Sequence, residues 1–458
     1  MQARIEEIIS AIRSSYWFVP SVMTLAAIAL AAFMVWLDVT LGHDWLDQHL
    51  GWYQSIKPSG ARDVLSTIAG ATLTVAGTAF SITIAAISFA SGKFGPRLLT
   101  NFMGDRGNTF TLGTFVATFV YCLFVLRTVR EGDEGGFVPQ LAVAMGMVLA
   151  LCSVAMLIYF IHHVPRAIHI NNVIAGIGRQ LIDGIDKRFP KPIGKPASEE
   201  DAGRAPPIPP GPPATVTATT AGYIQAIEEE HLLGVAEQHE LLVRLDHRPG
   251  DFIASGRPLM SAWPKESVSD AVCDDLRNAF VTGNERTPHH DLNFLIMELV
   301  EISGRALSSG VSDPVTAVTC MDWLGAALGE LAGREMPVPY RAGKDGKTRV
   351  IALPDHFANF VDKSFGALRQ YLSRDAIATQ HALRTMGLVA AECPAAGQLR
   401  SLDAERQRLV DLARTELDPA ARDSVEQINA QLCRLLAAGP GRIDKRDAAA
   451  LGSGGREA

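Results

Sequence analysis

Four long apolar stretches crowd the first 165 residues of the chain, and a mostly polar region follows them. Each stretch is close to the ~20 apolar residues that an α-helix needs to cross the hydrocarbon core of a bilayer. Because lipid offers the backbone no hydrogen-bond partner, such segments fold as helices, which satisfy their own amide and carbonyl groups. The sequence therefore predicts four transmembrane helices, at about residues 16–41, 64–92, 110–126 and 137–162.

The distribution of Lys and Arg among the loops predicts how these spans are oriented. Eleven cations lie in the N-terminal tail, the second loop and the stretch after the fourth span, against four in the two remaining loops. Positively charged loops stay on the cytoplasmic side of a membrane. We therefore expect both termini, and the large polar region, in the cytoplasm.

The second span carries a stripe of small and hydroxyl-bearing residues. Its members recur in alternating steps of four and three, which places them on one face of a helix. They are Thr67, Thr74, Thr78, Ser81 and Ser88, with Ala71 and Ala85 between them. Two hypotheses fit this pattern. The stripe is either a packing surface, inside the bundle or at an oligomer axis, or the lining of a hydrated path for ions or small solutes.

Acidic and basic residues are absent from the interior of all four spans. Ionisable groups inside the membrane are typical of proton relays and ion-coupled carriers, so the sequence disfavours a proton-driven pump. Asp38 and Arg127 lie at the ends of spans, where we expect their side chains to reach the membrane interface.

The rest of the chain divides by composition. Residues 166–189 have the apolar spacing of an amphipathic connecting helix, and residues 190–213 are rich in proline, glycine and charge, as in an exposed linker. Short apolar runs between glycine and proline turns predict a small β-rich module at 214–265. Apolar residues at helical spacing predict a mainly helical domain at 266–438, and a glycine-rich, charged end predicts a disordered tail at 439–458.

A turn, strand, turn, strand pattern is present in RPGDFIASGRPL at 248–259. This segment is similar to the hairpin of barrel-sandwich hybrid domains of the lipoyl or adaptor type, and the resemblance implies a barrel-like fold for the β-rich module. The modified lysine of such carrier domains has no counterpart, since the chain continues as MSAWPKES. We therefore expect a structural or docking module without an attached cofactor.

The helical domain contains a candidate loop site at Ser309, Ser312 and Asp313. Asp313 is expected to cap the helix that begins at Pro314, because Asp at the N-cap and Pro in the first turn are typical of helix starts. Capping accounts for the segment. The amide groups at a helix start can also bind an anionic ligand, and this alternative stays open.

The sequence lacks the motifs of the common enzyme classes. The six cysteines are scattered singly, and no P-loop, nucleophile elbow or HExxH motif occurs. Glu228 and His231 match a Glu-x-x-His spacing used in di-metal bundles, but there is no second copy. We therefore predict no catalytic residues, no metal and no cofactor. The net charge of −7, without a basic aromatic patch, argues against nucleic-acid binding.

Several segments resemble a group of bacterial predicted membrane proteins that is catalogued only as a domain of unknown function. They are STIAGATLTVAGTAFSITIAAISFASGKFGPRLL (66–99), DRGNTFTLGTFVATFVYCLFVLRTVR (105–130), RPGDFIASGRPL and ALSSGVSDPVTAVTCMDWL (306–324). The resemblance implies a bacterial inner-membrane protein. It transfers neither an activity nor catalytic residues.

The expected architecture is a membrane domain of four transmembrane helices followed by a cytoplasmic α+β region, with a small barrel-like module and a helical domain. The favoured function is a non-enzymatic membrane scaffold, sensor or regulator whose cytoplasmic part binds a protein partner. The alternative is an oligomeric channel or transporter for ions or small solutes, lined by the second helix. The expected partners are membrane lipid, further copies of the chain and a cytoplasmic protein, but not nucleic acid.

Overall fold

The computed structural model describes residues 17–49, 57–95, 106–130, 137–189, 208–286, 291–308, 312–344, 346–353 and 355–451. The chain divides into two compact units, Met1–Asn172 and Val173–Ala458. Most of the predicted linker, residues 190–207, lies outside the described residues, as does the loop residue Ser309.

The first unit contains four helices in the part of the chain that is described. They are α1 (Phe18–His49), α2 (Pro58–Phe94), α3 (Arg106–Leu126) and α4 (Gln140–Ile168). All four are long and apolar enough to cross a membrane, which confirms the number of predicted spans. The helix α2 begins six residues before its predicted start, because Pro58 occupies a first-turn position where its missing N–H costs nothing.

The helix α3 contacts the three other helices of this unit and is the most buried of the four. Gly113 permits its close approach to α1, since a Cβ at that position would overlap the Met23 side chain. The hydroxyl oxygens of Thr118 and of Ser153 on α4 lie 3.1 Å apart. The Tyr121 hydroxyl donates to a carbonyl of α4 over 2.9 Å. Close contact through small residues and interhelical hydrogen bonds are the interactions that hold helices together in lipid.

Asp38, near the end of the first candidate span (Phe18–Thr40), is bound within the protein. It is only 8% exposed, and its carboxylate accepts from the amide groups of Leu141 at 2.9 Å and Ala142 at 3.0 Å, in the first turn of α4. These amides have no partner within their own helix, and the positive end of the helix dipole favours a carboxylate there. Asp38 therefore joins two membrane helices.

The helix α5 (Ile170–Arg188) begins one residue after α4, and all but its first three residues belong to the second unit. Its apolar face is buried, as the periodicity predicts, through Ile174, Ile177, Leu181 and Ile185. At its end, Arg334 pairs with Asp186 and donates to the carbonyl of Phe189. The helix is therefore an integral part of the core of this unit.

Eight strands form two open sheets in the described part of the second unit. The strands are β1 (Ala214–Thr217), β2 (Gly222–Ile227), β3 (Leu242–Leu245), β4 (Phe252–Ile253), β5 (Pro258–Trp263), β6 (Phe280–Gly283), β7 (Tyr340–Ala342) and β8 (Thr348–Ile351). One sheet has the order β1-β5-β3-β8-β7, and the other has the order β4-β2-β6. The pairing of β3 with β8 is parallel, whereas the other pairings are antiparallel.

The barrel-like fold predicted for residues 214–265 does not form. The two strands of the RPGDFIASGRPL segment enter different sheets, because β4 pairs with β2 while β5 pairs with β1 and β3. Strands β6, β7 and β8 come from beyond residue 265 and complete both sheets. The sheets share one apolar core with the helices α6 (Glu229–Gln238) and α7 (Asp270–Asn278). A local strand pattern does not specify which strands pair, and this choice depends on distant segments.

The helical part of the second unit continues beyond the sheets. Its helices are α8 (Leu292–Ser308), α9 (Pro314–Ala332), α10 (Phe357–Val361), α11 (Ala367–Leu372), α12 (Ala376–Ala391), α13 (Ala396–Glu416), α14 (Pro419–Leu436) and α15 (Lys445–Ala449). A π-helical turn, Asp362–Gly366, joins α10 to α11. The helix α12 lies at the centre, in contact with α9, α11, α13, α14 and α15.

The tail predicted to be disordered from residue 439 is folded as far as Leu451. Asp444 caps the short helix α15 by accepting from the amide of Arg446 at 2.7 Å. Leu451 is buried against Gly387 of α12, where a Cβ would overlap the leucine side chain. Ile443 and Ala448 are buried as well, and the Gly441 amide donates to the carbonyl of Cys393 at 3.2 Å. The composition of the tail does not reveal these contacts, because their partners lie in a distant segment.

Candidate functional site

The hydroxyl stripe of α2 lies on the outer face of the first unit. All five of Thr67, Thr74, Thr78, Ser81 and Ser88 are exposed. The opposite face of α2 packs inside the bundle through Leu65, Ala69, Thr72, Ala76, Ala79, Thr83, Ile87 and Ala90. Among the described residues of one chain, the stripe therefore neither packs against another helix nor encloses a path. Both hypotheses for the stripe now require further copies of the chain.

The hydroxyl groups of the stripe bond to their own helix. Thr74 donates to the Gly70 carbonyl at 2.8 Å, Thr78 to the Thr74 carbonyl at 3.0 Å, and Ser81 to the Gly77 carbonyl at 2.9 Å. Such bonds to the preceding turn satisfy a hydroxyl without a second helix. The exposed stripe is consequently compatible with lipid as its neighbour.

Of the candidate loop site, the structure describes Ser312 and Asp313. Asp313 is the N-cap of α9, as predicted: its carboxylate accepts from the Thr316 amide at 3.1 Å and from the Thr316 hydroxyl at 2.7 Å. The side chain thus occupies an amide group that an anionic ligand would use. Ser312 is exposed beside it.

A cavity of about 610 Å³ lies inside the second unit. Its volume falls in the range of small-molecule sites. The lining comes from helices α5, α6 and α8, from strands β2, β3, β7 and β8, from the turn at 247–249, and from the segments on either side of the β7–β8 pair. The apolar part of its wall includes Leu232, Leu233, Leu245, Leu292, Leu295 and Val350. Sequence reasoning missed this cavity because these residues are scattered over more than 100 positions, each with the appearance of an ordinary core residue.

One end of the cavity contains a charge cluster around Asp355. This side chain is only 9% exposed and pairs with Arg248. The Nη2 atom of Arg188 lies 3.8 Å from its Oδ2 atom. Lys187 also lines the cavity and has no carboxylate partner among the described residues. These side chains come from the last turn of α5, the loop before β4 and the segment before α10.

The RPGD sequence at 248–251 positions Arg248 in this cluster. The Asp251 carboxylate accepts from the Arg248 amide at 3.0 Å and so closes the turn. Gly250 has a φ of +94°, and a Cβ there would overlap the Asp291 carboxylate. That carboxylate accepts from Arg286 at 2.8 Å. The turn therefore requires glycine for two reasons, a left-handed backbone and a close approach to a buried ion pair.

Lys363, in the π-helical turn between α10 and α11, lies near the same charged groups but does not line the cavity. Such turns insert an extra residue into a helix and are frequent at functional sites. Burial lowers the pKa of Lys363, and the nearby Arg248 and Arg286 act in the same direction, whereas Asp355 and Asp291 oppose the shift. With Lys187 and Arg188, this end of the cavity carries a net positive charge.

The Glu-x-x-His spacing does not form a metal site. The Nε2 atom of His231 lies 3.1 Å from the backbone carbonyl of Asp275. In the described ranges, no three His, Cys, Asp or Glu side chains come together in a group that could hold a metal ion. Glu229 and Glu230 instead line the cavity at the start of α6, where Arg341 also contributes.

Comparison with known proteins identifies the family but not an activity. The chain matches the model of a family described as predicted membrane protein (DUF2254) over residues 13–387. Uncharacterised proteins of Mycobacterium bovis and Mycobacterium tuberculosis are each 30% identical to it over 345 residues, which cover 73% of this chain and 65% of theirs. The chain thus spans less than two thirds of the length of these relatives. No solved structure matches it. Since the family model covers most of the chain, this protein belongs to the DUF2254 family of predicted membrane proteins.

Proposed function

We propose that this protein is a non-enzymatic membrane sensor that binds a small molecule in the cavity beside Asp355. One observation carries the proposal: α5 forms part of the cavity wall, through Gln180, Gly184, Lys187 and Arg188. In sequence, α5 follows the fourth membrane helix after a single residue, His169. If α5 can adopt two positions and a ligand binds the protein more tightly in one of them, the ligand shifts the population toward that position. Because α5 is covalently continuous with the membrane domain, this shift can be passed on to it.

The pairing of Asp355 and Asp291 supports binding rather than catalysis by these two carboxylates. Asp355 is engaged by Arg248 and Arg188, and Asp291 is engaged by Arg286. A general base must be free to take a proton from a substrate, whereas paired charges suit the recognition of a ligand. The proposal therefore assigns no reaction to this cavity.

The proposal places the membrane domain in the bacterial inner membrane, with both termini and the second unit in the cytoplasm. The excess of Lys and Arg in the loops on that side supports this orientation. A protein partner that reads the state of the sensor would then be a cytoplasmic one.

The test uses the full chain in nanodiscs of neutral phosphatidylcholine. Small molecules that co-purify with it are identified by native mass spectrometry and compared with those of Leu233→Trp, which fills the cavity. Leu388→Trp, at an exposed position outside the cavity, is the matched control. We expect a bound molecule in the wild type and in the control, and its loss from Leu233→Trp.

A second readout tests the sensor mechanism itself. Hydrogen exchange of the α5 amides should be slower in the ligand-bound protein than after the ligand is removed. Identical small-molecule content in all three proteins, or identical exchange in α5 with and without ligand, would contradict the proposal.

A second candidate function is an oligomeric channel or transporter lined by α2. The exposed position of the hydroxyl stripe supports it, because the stripe is available to neighbouring copies. Thr74→Leu and Ser81→Leu in liposomes separate the hypotheses, with Ile82→Leu as a control on an exposed position outside the stripe. Lost flux with intact assembly would support a channel, and lost assembly would support packing. Unchanged flux and assembly would exclude both roles.

A further inference from the structure

We infer that the cavity binds a single-chain amphiphile with one anionic head group, a carboxylate or a phosphate, whose head lies at the Asp355 end. This inference rests on the proposed function, since it names the ligand class of the same cavity. It follows from three features of the lining: its apolar walls, the cations at one end and its net charge.

The walls favour an alkyl chain. Leu232, Leu245, Leu292, Leu295 and Val350 are buried and line the cavity from four different elements. Polar groups of a ligand would lose water here without gaining hydrogen-bond partners, which is costly. An alkyl chain gains from leaving water, because the hydrophobic effect scales with the apolar area that is buried.

The cations at one end favour an anionic head. The Arg188 side chain is 39% exposed, and its 3.8 Å separation from Asp355 is longer than a charge-assisted hydrogen bond. A guanidinium carries five N–H donors in a planar fork, so this partly exposed side chain can also form a bidentate pair with an incoming carboxylate or phosphate. Lys187, the preceding residue, also lines the cavity and offers a second positive charge. The Asp355 carboxylate pairs with Arg248 and also lies close to Arg188, so it holds both arginines at this end of the cavity.

The net charge of the lining favours a single anionic group. The whole lining carries four basic side chains, Lys187, Arg188, Arg248 and Arg341, and three carboxylates, Glu229, Glu230 and Asp355. This excess of one positive charge matches one anionic group, and a second anionic group would have no positive charge left to balance it. The lining therefore disfavours nucleotides and other polyanions, and it favours a molecule that is charged at one end.

The experiment uses dodecanoic acid with a diazirine at the end of its chain, added to the full-length protein in neutral nanodiscs and activated by light. We expect cross-links in peptides that contain Leu232, Leu245 or Leu292. Laurate and dodecyl phosphate should compete with the probe. Dodecylamine and inorganic phosphate should not, because the former has the wrong charge and the latter has no chain.

Variants at the head-group end test the role of the cations. The double variant Lys187→Gln with Arg188→Gln should reduce cross-linking in the second unit by about tenfold or more, as expected for the loss of charge-assisted hydrogen bonds. Arg188→Lys alone, which keeps the charge but not the bidentate geometry, should give a smaller loss than the double variant. Lys265→Gln removes an exposed charge outside the cavity and should have no effect. An unchanged unfolding temperature shows that a variant is folded.

Two outcomes would overturn the inference: cross-links confined to α1–α4, or competition by dodecylamine as strong as that by laurate. The proposed function would survive either result if another molecule co-purified with the wild type and was absent from Leu233→Trp. If no molecule depended on the cavity, both proposals would fail.

Discussion

At the scale of single residues, the ion pairs of the second unit differ in how deeply they are buried. They should therefore differ in how much they contribute to the free energy of unfolding. Arg369 donates twice to Glu405, at 2.7 Å and 2.6 Å, and the Glu405 side chain is only 2% exposed. Arg414 and Glu426 form a pair of similar length, 2.6 Å, with both side chains exposed. Removing one partner leaves a buried charge uncompensated in the first case and a hydrated charge in the second.

We expect Arg369→Ala to lower the free energy of unfolding of the second unit by about 3 kcal/mol, because the buried Glu405 carboxylate would lose the two hydrogen bonds that Arg369 donates to it. Glu426→Ala should cost less than about 1 kcal/mol. Denaturant unfolding of the full chain, followed by tryptophan fluorescence, measures both. Equal losses in the two variants would show that burial does not control the strength of these pairs.

The exposed pair also predicts a pH dependence. The hydrogen bond from Arg414 holds the pKa of Glu426 below its ordinary value of 4.5. A carboxyl group with a lowered folded-state pKa stabilises the fold above its unfolded pKa, and this contribution is lost as the pH falls through the folded-state value. The small difference in unfolding temperature between wild type and Glu426→Gln should therefore be present at pH 7 and vanish at acidic pH. A difference that grew on acidification would contradict this assignment.

The thiol groups of the second unit should differ in reactivity. Burial raises the pKa of Cys393 to about 12, and it also raises the pKa of Cys320. Cys433 is exposed. Because the thiolate is the reactive form, N-ethylmaleimide at pH 7.5 should label Cys433 in the folded protein and reach the other two only after denaturation. Peptide mass spectrometry measures the order, and early labelling of Cys320 or Cys393 would indicate that their sites open readily.

At the scale of secondary-structure elements, the cap that Asp38 provides connects α1 to α4. Asp38→Ala should destabilise the first unit by about 2 kcal/mol, since hydrogen bonds to charged groups are worth 1.5–3 kcal/mol. Asp38→Asn should lose less, because the amide oxygen still accepts. Unfolding in mixed micelles measures both. Asp63→Ala, at an exposed position near the start of α2, should have little effect, and a similar loss there would argue against a specific cap.

At the scale of the whole molecule, the loop charges predict that the second unit faces the cytoplasm. A membrane-impermeant maleimide added to intact cells should then leave Cys433 unlabelled and react with it after lysis. An alkaline phosphatase fused after residue 458 should be inactive for the same reason. Labelling in intact cells would reverse the orientation and move the ligand cavity to the other side of the membrane.

The sequence by itself determined the four membrane helices, the buried face of α5 and the cap of α9. These features depend on interactions between residues close in sequence. A bilayer sets the length of an apolar helix, helical periodicity places Ile174 to Ile185 on one side, and Asp313 reaches an amide three positions away.

Tertiary structure alone decided the pairing of the strands, the role of Asp38 and the existence of the cavity. Strand β8 lies beside β3 although about 100 residues separate them, and Asp38 reaches amides 103 and 104 positions away. The cavity brings together α5, the RPGD turn and Asp355. The sequence around each of these residues gives no sign of its role, because the partner that defines that role lies in a distant segment. The outward position of the α2 stripe has the same origin: periodicity defines a face, but only packing determines which face is buried.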